Sequence, residues 1–493
     1  MTTRPVVLSI GGSDPTGLAG LAVDVRTINA LGAHPASVVS AVTAQNSETV
    51  SSLNPVPAAT LAAQLDALDP ARISAVKTGL LANAEQIQVV AAFLRRSGLP
   101  AVVDPVLASS SGYAFLDDSG LHALRKELLP LARVVTPNIP EAQQLSGSRS
   151  RNPQQLAGAL QHHRQLSVIV KGGHADDAQS HVSDAYQGPD EAFLLSSARQ
   201  QSPNTRGTGC LFASALAAAL AHGERVQDAA VIAKMTLNQA LRNGYSPGGQ
   251  TPGAPAPAHW PDAIADLPAL LKGAEAHRHE AAFASCGPTP LGLYPIVDRA
   301  DWLRRLLPLG VSTIQLRCKD LSGQALDNEI ARAVAIARRY RARLFINDHW
   351  QAAIRHGAYG VHLGQEDLDS AKTAAIADAG LRLGISTHCH AEVARAVALR
   401  PSYIACGPVF PTNTKIMPWQ PLGLPGLRYW QALLQDYPVV AIAGIKPGNI
   451  AEVAASGVSG IAMITAITGA PDPQAVTAEL IARIDAARAI KPH

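Results

Sequence analysis

The chain has 493 residues, 47% hydrophobic and 16% charged, which excludes wholesale disorder and allows two to four domains at roughly 150 residues each. Lys and Arg number 41 against 38 Asp and Glu, close to balanced at +3, and nothing resembles the basic stripe of a nucleic-acid binder. The five cysteines, Cys210, Cys286, Cys318, Cys389 and Cys406, are odd in number, widely spaced and without a CxxC, so a reducing, cytoplasmic setting is expected rather than a disulfide framework or zinc ribbon. The opening MTTRPVVLSIGGSD has no apolar signal core, and no stretch reaches the length of a membrane span.

The first half alternates apolar runs with helical patterns. Strands are expected at 6–10, 37–44, 75–77, 101–105, 134–136 and 168–171, followed by a hairpin in VSDAYQGPDEAFLLSS and two helices, 208–221 and 226–242. A mostly parallel sheet with an antiparallel edge and helices on both faces follows. Polar groups gather at strand ends: GGSDPTGLAG after the first, Gln45 and Asn46 after the second, then KTGLL, VDPVL, VTPNIPEA and VKGGH. GGSDPTGLAG is neither a Walker loop nor G-x-G-x-x-G, and alone it is a weak signal whose bland reading is a tight turn. In NTRGTGC, residues Gly207, Thr208, Gly209 and Cys210 bring backbone donors to a helix start, where they suit a developing phosphoryl charge. The helix field there is expected to lower the Cys210 thiol pKa, although a buried helix-start cysteine is the blander reading.

The composition breaks at SPGGQTPGAPAPAHWP, residues 246–261, whose Pro and Gly density supports neither helix nor inner strand. The expected division is a domain over 1–262, a linker over 263–288 and a second domain over 289–493.

The second domain alternates regularly. Strands are expected at 293–298, 313–319, 344–348, 360–364, 383–387, 403–408, 439–444 and 461–465, with amphipathic helical stretches between most of them. Eight βα units in about two hundred residues indicate a (β/α)8 barrel, with an open doubly wound sheet as the alternative. Unusual polar residues fall at the strand ends, where barrels keep their sites: Gln315, Arg317 and Lys319; Asn347 and Asp348; Gln365, Glu366 and Asp367; Ser386; Thr412, Thr414 and Lys415; Gly444; Ile464 and Thr465. Asp348 and Asp367 end adjacent strands and suit one hard cation such as Mg2+. Arg317 and Lys319 suit a phosphate chain, and the backbone near Gly444 and Thr465 suits a second phosphate. Singly each has a bland explanation as a cap or surface ion pair. Together they describe a site for two phosphorylated ligands and a metal.

In order and spacing, QLRCKD, IND, VHLGQED, GPVFPTNTK, AIAGI and MITAI resemble the thiamine-phosphate synthase family over nearly all of 293–467. That resemblance implies a TIM barrel joining a hydroxymethylpyrimidine diphosphate to a thiazole phosphate. Gln315, Arg317, Lys319, Asn347, Ser386 and Lys415 would then meet the pyrimidine diphosphate, and Asp348 and Asp367 the Mg2+. Thr412, Thr414, Gly444, Ile464 and Thr465 would meet the thiazole phosphate. Ala443 stands where the family often has glycine, and Thr465 where it often has serine.

GSDPTGLAG, TAQNS, KTG, DPV, TPNIPEA, VKGGH and GTGC resemble, in order over about 6–242, the hydroxymethylpyrimidine/phosphomethylpyrimidine kinase family of ribokinase-like α/β/α fold. That resemblance implies a substrate pocket of Gln45, Gly12, Leu80 and Val106, and an ATP and Mg2+ region of Asp104, Asn138, Glu141 and Lys171, with Gly172 and Gly173 towards ATP. The catalytic group would be Cys210 with Gly207 and Gly209. Arg206 and Leu211 depart from the usual histidine and small polar residue. The combined expectation is a bifunctional thiamine-biosynthesis enzyme with ATP as co-substrate, acting on small molecules and compatible with a homo-oligomer, with no nucleic-acid or membrane partner. A pyridoxal-type or sugar-type kinase, or a non-catalytic sensor of a thiamine intermediate, stays open for one half.

Overall fold

A computed structural model describes residues 3–46, 48–109, 112–161, 165–174, 180–249, 251–273, 282–412 and 419–489. The chain divides into two compact units, Met1–Pro261 with Ala265–Ala276, and His277–His493 with Asp262–Ile264.

The first unit is built on a ten-stranded sheet of order β10-β9-β8-β7-β6-β5-β4-β1-β2-β3. Its strands are β1 Val6–Ser13, β2 His34–Gln45, β3 Val50–Pro55, β4 Ala75–Thr78, β5 Ala101–Val103, β6 Val134–Val135, β7 Ser167–Val170, β8 His181–Gln187, β9 Ala192–Ala198 and β10 Ala269–Leu271. From β2 to β7 across the sheet all pairings are parallel, while β3, β8, β9 and β10 pair antiparallel to their neighbours. The central strands are apolar and almost fully buried, as a parallel sheet covered by helices requires. The chain leaves β1 towards β2 but later builds from β4 in the opposite direction, so right-handed crossovers put helices on both faces. The reversal lies between β1 and β4, and ligands of such sheets bind outside the carboxyl ends at that crevice. Helix Thr208–Ala221 packs there, against β1, β4, β5 and helix Gly20–Ala30.

The second unit is a closed parallel barrel of β11 Gly292–Val297, β12 Thr313–Leu316, β13 Arg343–Asn347, β14 Gly360–Leu363, β15 Arg382–Thr387, β16 Tyr403–Cys406, β17 Val439–Ile442 and β18 Gly460–Met463. All eight expected strands are present, and closure removes the open-sheet alternative. Tyr294, Phe345 and Tyr403 fill the interior, their rings within 6.0 Å of each other. Gly384 makes room for them, since a Cβ there would strike the Tyr403 ring.

The expected linker over 263–288 is not free chain at either end. Asp266 takes a bidentate pair from Arg242 at 2.7 and 2.8 Å, and β10 completes the first sheet against β9. Further on, the Phe283 amide donates to the Arg400 carbonyl, and Cys286 joins the aromatic cluster of the barrel floor. The Arg343 guanidinium donates to the carbonyls of Cys286, Thr289 and Pro290 and ties that approach segment to β13. Neither β3 nor β10 is among the expected strands.

A barrel fragment starting at His277 should therefore unfold at a higher temperature than one starting at Thr289. The shorter fragment loses the buried Phe283 and Cys286 side chains, worth on the order of 2–4 kcal/mol. Equal melting temperatures by circular dichroism would show that the floor segment is dispensable.

Candidate active sites

In the first unit, helix Thr208–Ala221 begins at Gly207, which has φ +80°. The positive φ and the Leu18 carbonyl, which a Cβ would strike, both require glycine and bring the GGSDPTGLAG loop against the helix start. A Cβ on Gly209 would stand 3.3 Å from Lys171 Nζ and 3.8 Å from an Asp104 carboxylate oxygen. Lys171 Nζ pairs with Asp104 Oδ1 at 2.8 Å, and Thr136 Oγ1 donates to the same oxygen at 3.1 Å. Gly207, Gly209, Cys210, Asp104 and Lys171 are therefore brought together.

Asn138 and Glu141 form a reciprocal capping box, each side chain accepting from the other's backbone N–H at 2.8 Å. Glu141 nevertheless belongs to the same electrostatic cluster. Burial pushes its carboxyl up to about 7, with Lys171 opposing and Asp104 adding to the rise. Burial would lower the Lys171 ammonium, but Asp104 and Glu141 outweigh it and hold the group above its ordinary value.

Cys210 corrects the expected direction. Its thiol is pushed up to about 11, because burial outweighs the Lys77 ammonium and the Gly20 backbone N–H that favour the thiolate. Lys77 itself is buried and pairs with Asp24 at 2.8 Å, while Ser9 and Ser214 donate to the same carboxylate at 2.7 and 2.8 Å. This network joins β1, β4 and two helices one turn below Cys210. A lysine inside the apolar run VKTG was its only signal in the sequence.

On the other side of the crevice, Leu80 lies with Ala41 and Phe115, with Val50, Leu53 and Val106 packed against them. A Cβ on Gly12 would stand 2.8 Å from Leu80 Cδ2. Gln45 closes β2 opposite Val50 of β3. The expected pocket residues Gly12, Leu80 and Val106 are thus together, with Gln45 at the strand edge beside them.

In the barrel, Gln315, Asn347, Asp348, Asp367 and Ser386 stand at or just past the carboxyl ends of the neighbouring strands β12 to β15, with Arg317 and Lys319 following β12. Lys319 Nζ meets Asp348 Oδ2 at 2.5 Å. The Asp367 carboxyl is held above the usual carboxylate range, first by burial and then by the adjacent Asp348. Gln365 has a structural task, donating to the Ser386 carbonyl at 2.8 Å. Thr412 follows β16, Gly444 follows β17, and Ile464 and Thr465 follow β18. Thr414 and Lys415 lie outside the described residues.

Two non-glycine residues in this mouth have left-handed backbones, Asp348 at φ 64° and Ala443 at φ 74°. Aspartate tolerates that region through its short polar side chain, whereas alanine bears the steric cost. Sequence reasoning also missed three interior groups. Tyr294 Oη and Tyr403 Oη are 2.9 Å apart, Tyr403 Oη is 2.6 Å from His362 Nδ1, and His362 Nε2 is 2.8 Å from Ser386 Oγ. Burial pushes His362 down to about 4, so the imidazole is neutral. Among the described residues no group of three or more His, Cys, Asp or Glu side chains forms a metal centre, and no helix is long and apolar enough to cross a membrane.

The chain therefore has two heads, each an α/β unit that sets a lysine and two carboxylates beside backbone suited to phosphate, an arrangement of phosphate-handling transferases. Comparison with known proteins narrows this class. A family model described as phosphomethylpyrimidine kinase matches residues 14–254, and one described as thiamine monophosphate synthase matches 293–467. The thiamine-phosphate synthase of Serratia proteamaculans is 57% identical over 198 residues, covering 40% of this chain and 93% of that protein. The Pectobacterium atrosepticum protein of the same name is 55% identical over 196 residues, covering 40% and 92%. Among solved structures, Staphylococcus aureus pyridoxal kinase is 30% identical with a TM-score of 0.47, covering 52% of this chain and 95% of that one. Clostridium difficile phosphomethylpyrimidine kinase is 30% identical with a TM-score of 0.43, covering 48% and 99%. The chain belongs to the thiamine-phosphate synthase family through its barrel, joined to an N-terminal phosphomethylpyrimidine kinase domain, and is a bifunctional enzyme of thiamine biosynthesis.

Glu141 gives a pH signature. A carboxyl that titrates at about 7 when folded, against 4.5 ordinarily, binds its proton more tightly in the native state. Its stabilising contribution is complete below the ordinary value and is lost as pH rises through about 7. Glu141→Gln keeps the cap acceptor and should flatten the fall in melting temperature between about pH 5 and 8; an unchanged slope would assign that fall elsewhere. Ala443→Gly should raise barrel stability by about 0.5–1 kcal/mol, read from urea midpoints, because relief of the left-handed strain exceeds the added chain entropy.

Proposed function

We propose that the first unit uses ATP to convert 4-amino-5-hydroxymethyl-2-methylpyrimidine to its monophosphate and then to its diphosphate. The barrel then joins the diphosphate to 4-methyl-5-(2-phosphooxyethyl)thiazole, giving thiamine phosphate and pyrophosphate. The observation that carries this reading is the pairing of the two families in one chain, since the product of one is the substrate of the other.

In the kinase, Gln45 reads the pyrimidine edge, with Gly12, Leu80 and Val106 forming the apolar side of the pocket. The thiolate form of Cys210, which Lys77 and the Gly20 amide support against burial, accepts the hydroxymethyl proton and becomes the thiol as the substrate oxygen attacks the terminal phosphate and the bond to the departing ADP breaks. Backbone donors from Gly207 to Gly209 hold the charge that develops on the transferred group, and Lys171 faces it. The second phosphorylation has a phosphate oxygen as nucleophile and needs no base.

In the barrel, Gln315, Asn347 and Ser386 orient the aminopyrimidine diphosphate, and Arg317, Lys319 and Lys415 receive the departing pyrophosphate. The methylene–oxygen bond breaks with its electron pair going to pyrophosphate, and the electron-rich aminopyrimidine supports the cationic methylene. The thiazole nitrogen, presented by Thr412, Thr414, Gly444, Ile464 and Thr465, then supplies its lone pair to that carbon.

Each head fits a divalent cation: Asp348 and Asp367 in the barrel, and Asp104 with Glu141 in the kinase, are carboxylate pairs whose mutual repulsion such an ion relieves. Mg2+ bound there would neutralise charge on the phosphate oxygens. A cytoplasmic setting fits this reading, with Cys210 half-buried and Cys286, Cys318, Cys389 and Cys406 buried rather than drawn into a disulfide framework. A homo-oligomer is compatible with this reading, which calls for neither nucleic acid nor membrane.

Incubating the full chain with the hydroxymethylpyrimidine, the thiazole phosphate, ATP and Mg2+ should yield thiamine phosphate, followed by chromatography. Asp348→Asn should accumulate the pyrimidine diphosphate with coupling nearly abolished; normal coupling would remove Asp348 from the metal site. Cys210→Ala should slow phosphorylation on the order of a hundredfold or more while coupling of supplied diphosphate continues. A near-normal rate would leave Cys210 a packing residue.

A further inference from the structure

The barrel interior contains a polar path among apolar neighbours. Gln315 Nε2 lies 3.5 Å from Tyr294 Oη, and the path continues through Tyr403 and His362 to Ser386 at separations of 2.9, 2.6 and 2.8 Å. Gln315, Tyr294, Tyr403 and His362 are 3%, 1%, 0% and 6% exposed, so water does not supply missing partners along most of its length. The imidazole also stacks on the Tyr403 ring, 5.6 Å away and 18° from parallel. Neither ring nitrogen of His362 meets a carboxylate; both face hydroxyl groups.

Proton counting then sets a direction. A neutral imidazole has one N–H, and each hydroxyl has one proton to donate. If Ser386 donated to His362, the histidine would donate to Tyr403 and Tyr403 to Tyr294. With the Gln315 amide set so that Nε2 faces Tyr294 Oη, the Tyr294 proton would then have no acceptor there and a buried donor would stay unpaired. In the opposite order every proton is used. Gln315 donates to Tyr294, Tyr294 to Tyr403, and Tyr403 to His362 Nδ1. His362 Nε2–H then donates to Ser386 Oγ, and the serine proton is directed away from the chain of partners, into the mouth.

We propose that His362 is a positioning residue of the synthase reaction: the one-way chain from Gln315 fixes its Nε2–H tautomer and makes the Ser386 hydroxyl an obligate donor to an acceptor atom of the bound pyrimidine diphosphate. The proposal rests on the reading that Ser386 meets that substrate. Tyr294 and Tyr403 act through His362 and do not touch the reacting atoms. Asparagine or another flexible amide in place of the imidazole would let the serine proton point either way.

The direct test is nitrogen NMR on the full chain labelled with 15N-histidine, with the His362 signals identified by their loss in His362→Asn. The expected spectrum shows Nε2 protonated and Nδ1 bare. The opposite tautomer, or an exchanging mixture of both, overturns the one-way chain.

Kinetics on supplied pyrimidine diphosphate give the second test. Tyr403→Phe should lower synthase kcat roughly five- to tenfold, while unchanged thermal melting shows that the barrel is intact. In a Ser386→Ala background the same substitution should cost less than about twofold, because its effect passes through the serine. A full loss in that background would make Tyr403 a packing residue and overturn the relay. Full activity of Ser386→Ala alone would refute the substrate-binding reading of Ser386, an outcome separate from the tautomer result.

Discussion

Two carboxylates crowded against one lysine in a partly dry cleft form an electrostatically incomplete set, and both halves of this chain contain one. In the first unit Asp104 and Glu141 meet Lys171; in the barrel Asp348 and Asp367 meet Lys319. Burial first, and the neighbouring carboxylate after it, leave carboxyls that resist ionisation, Glu141 at about 7 and Asp367 above its ordinary range. Such a set is costly unless a cation arrives with its own anionic ligand, which is the form in which ATP or an organic diphosphate enters a site. The rest of each fold serves to hold that set open: a sheet reversal and a helix start in one unit, and a ring of strand ends in the other. It also explains why a net charge of +3 says nothing about polyanion binding here, because the charges that matter are few and local.

The barrel makes a further demand on its interior. Rings as large as Tyr294, Phe345 and Tyr403 fit only because small residues such as Gly384 face them. Two of those rings carry hydroxyls, which must be satisfied without water, and His362 satisfies one of them. The polar path is thus a requirement of packing as well as a resource for the mouth. Rigid satisfaction of this kind leaves one arrangement of protons, and one arrangement is what an active-site hydroxyl needs.

Much of this architecture was legible in the residues. All eight barrel strands follow from period and spacing, because each is a short apolar run between turn-rich loops. Strands β3 and β10 were not legible: VSSLNP is polar and ends in proline, and ALL is three residues beyond a Pro/Gly-rich stretch. Their identity as strands comes from neighbours, β2 and β9, that lie elsewhere in the chain. The same division holds for the sites. Asp104, Lys171, Asp348 and Asp367 announce themselves at strand ends. Cys210 was found, but not the direction of its shift, since the helix field is local whereas desolvation depends on every segment folded around it. Tyr294, Tyr403 and His362 look like ordinary core in a linear reading, and only their mutual distances reveal a path.

Strand β10 has a consequence for the molecule outside its own fold. A closed barrel has no free edge, but the ten-stranded sheet has two, and β10 covers one of them with three residues drawn from beyond the Pro/Gly-rich stretch. Behind it lies β9, AFLLSSA, whose Phe193 and Leu195 are buried. A nick or truncation between Pro261 and Ala269 would uncover that row of unpaired backbone donors and acceptors, which is a template for another chain's strand. The segment that joins the two enzymes therefore also shortens the free edge on that side of the sheet from the seven residues of β9 to the three of β10.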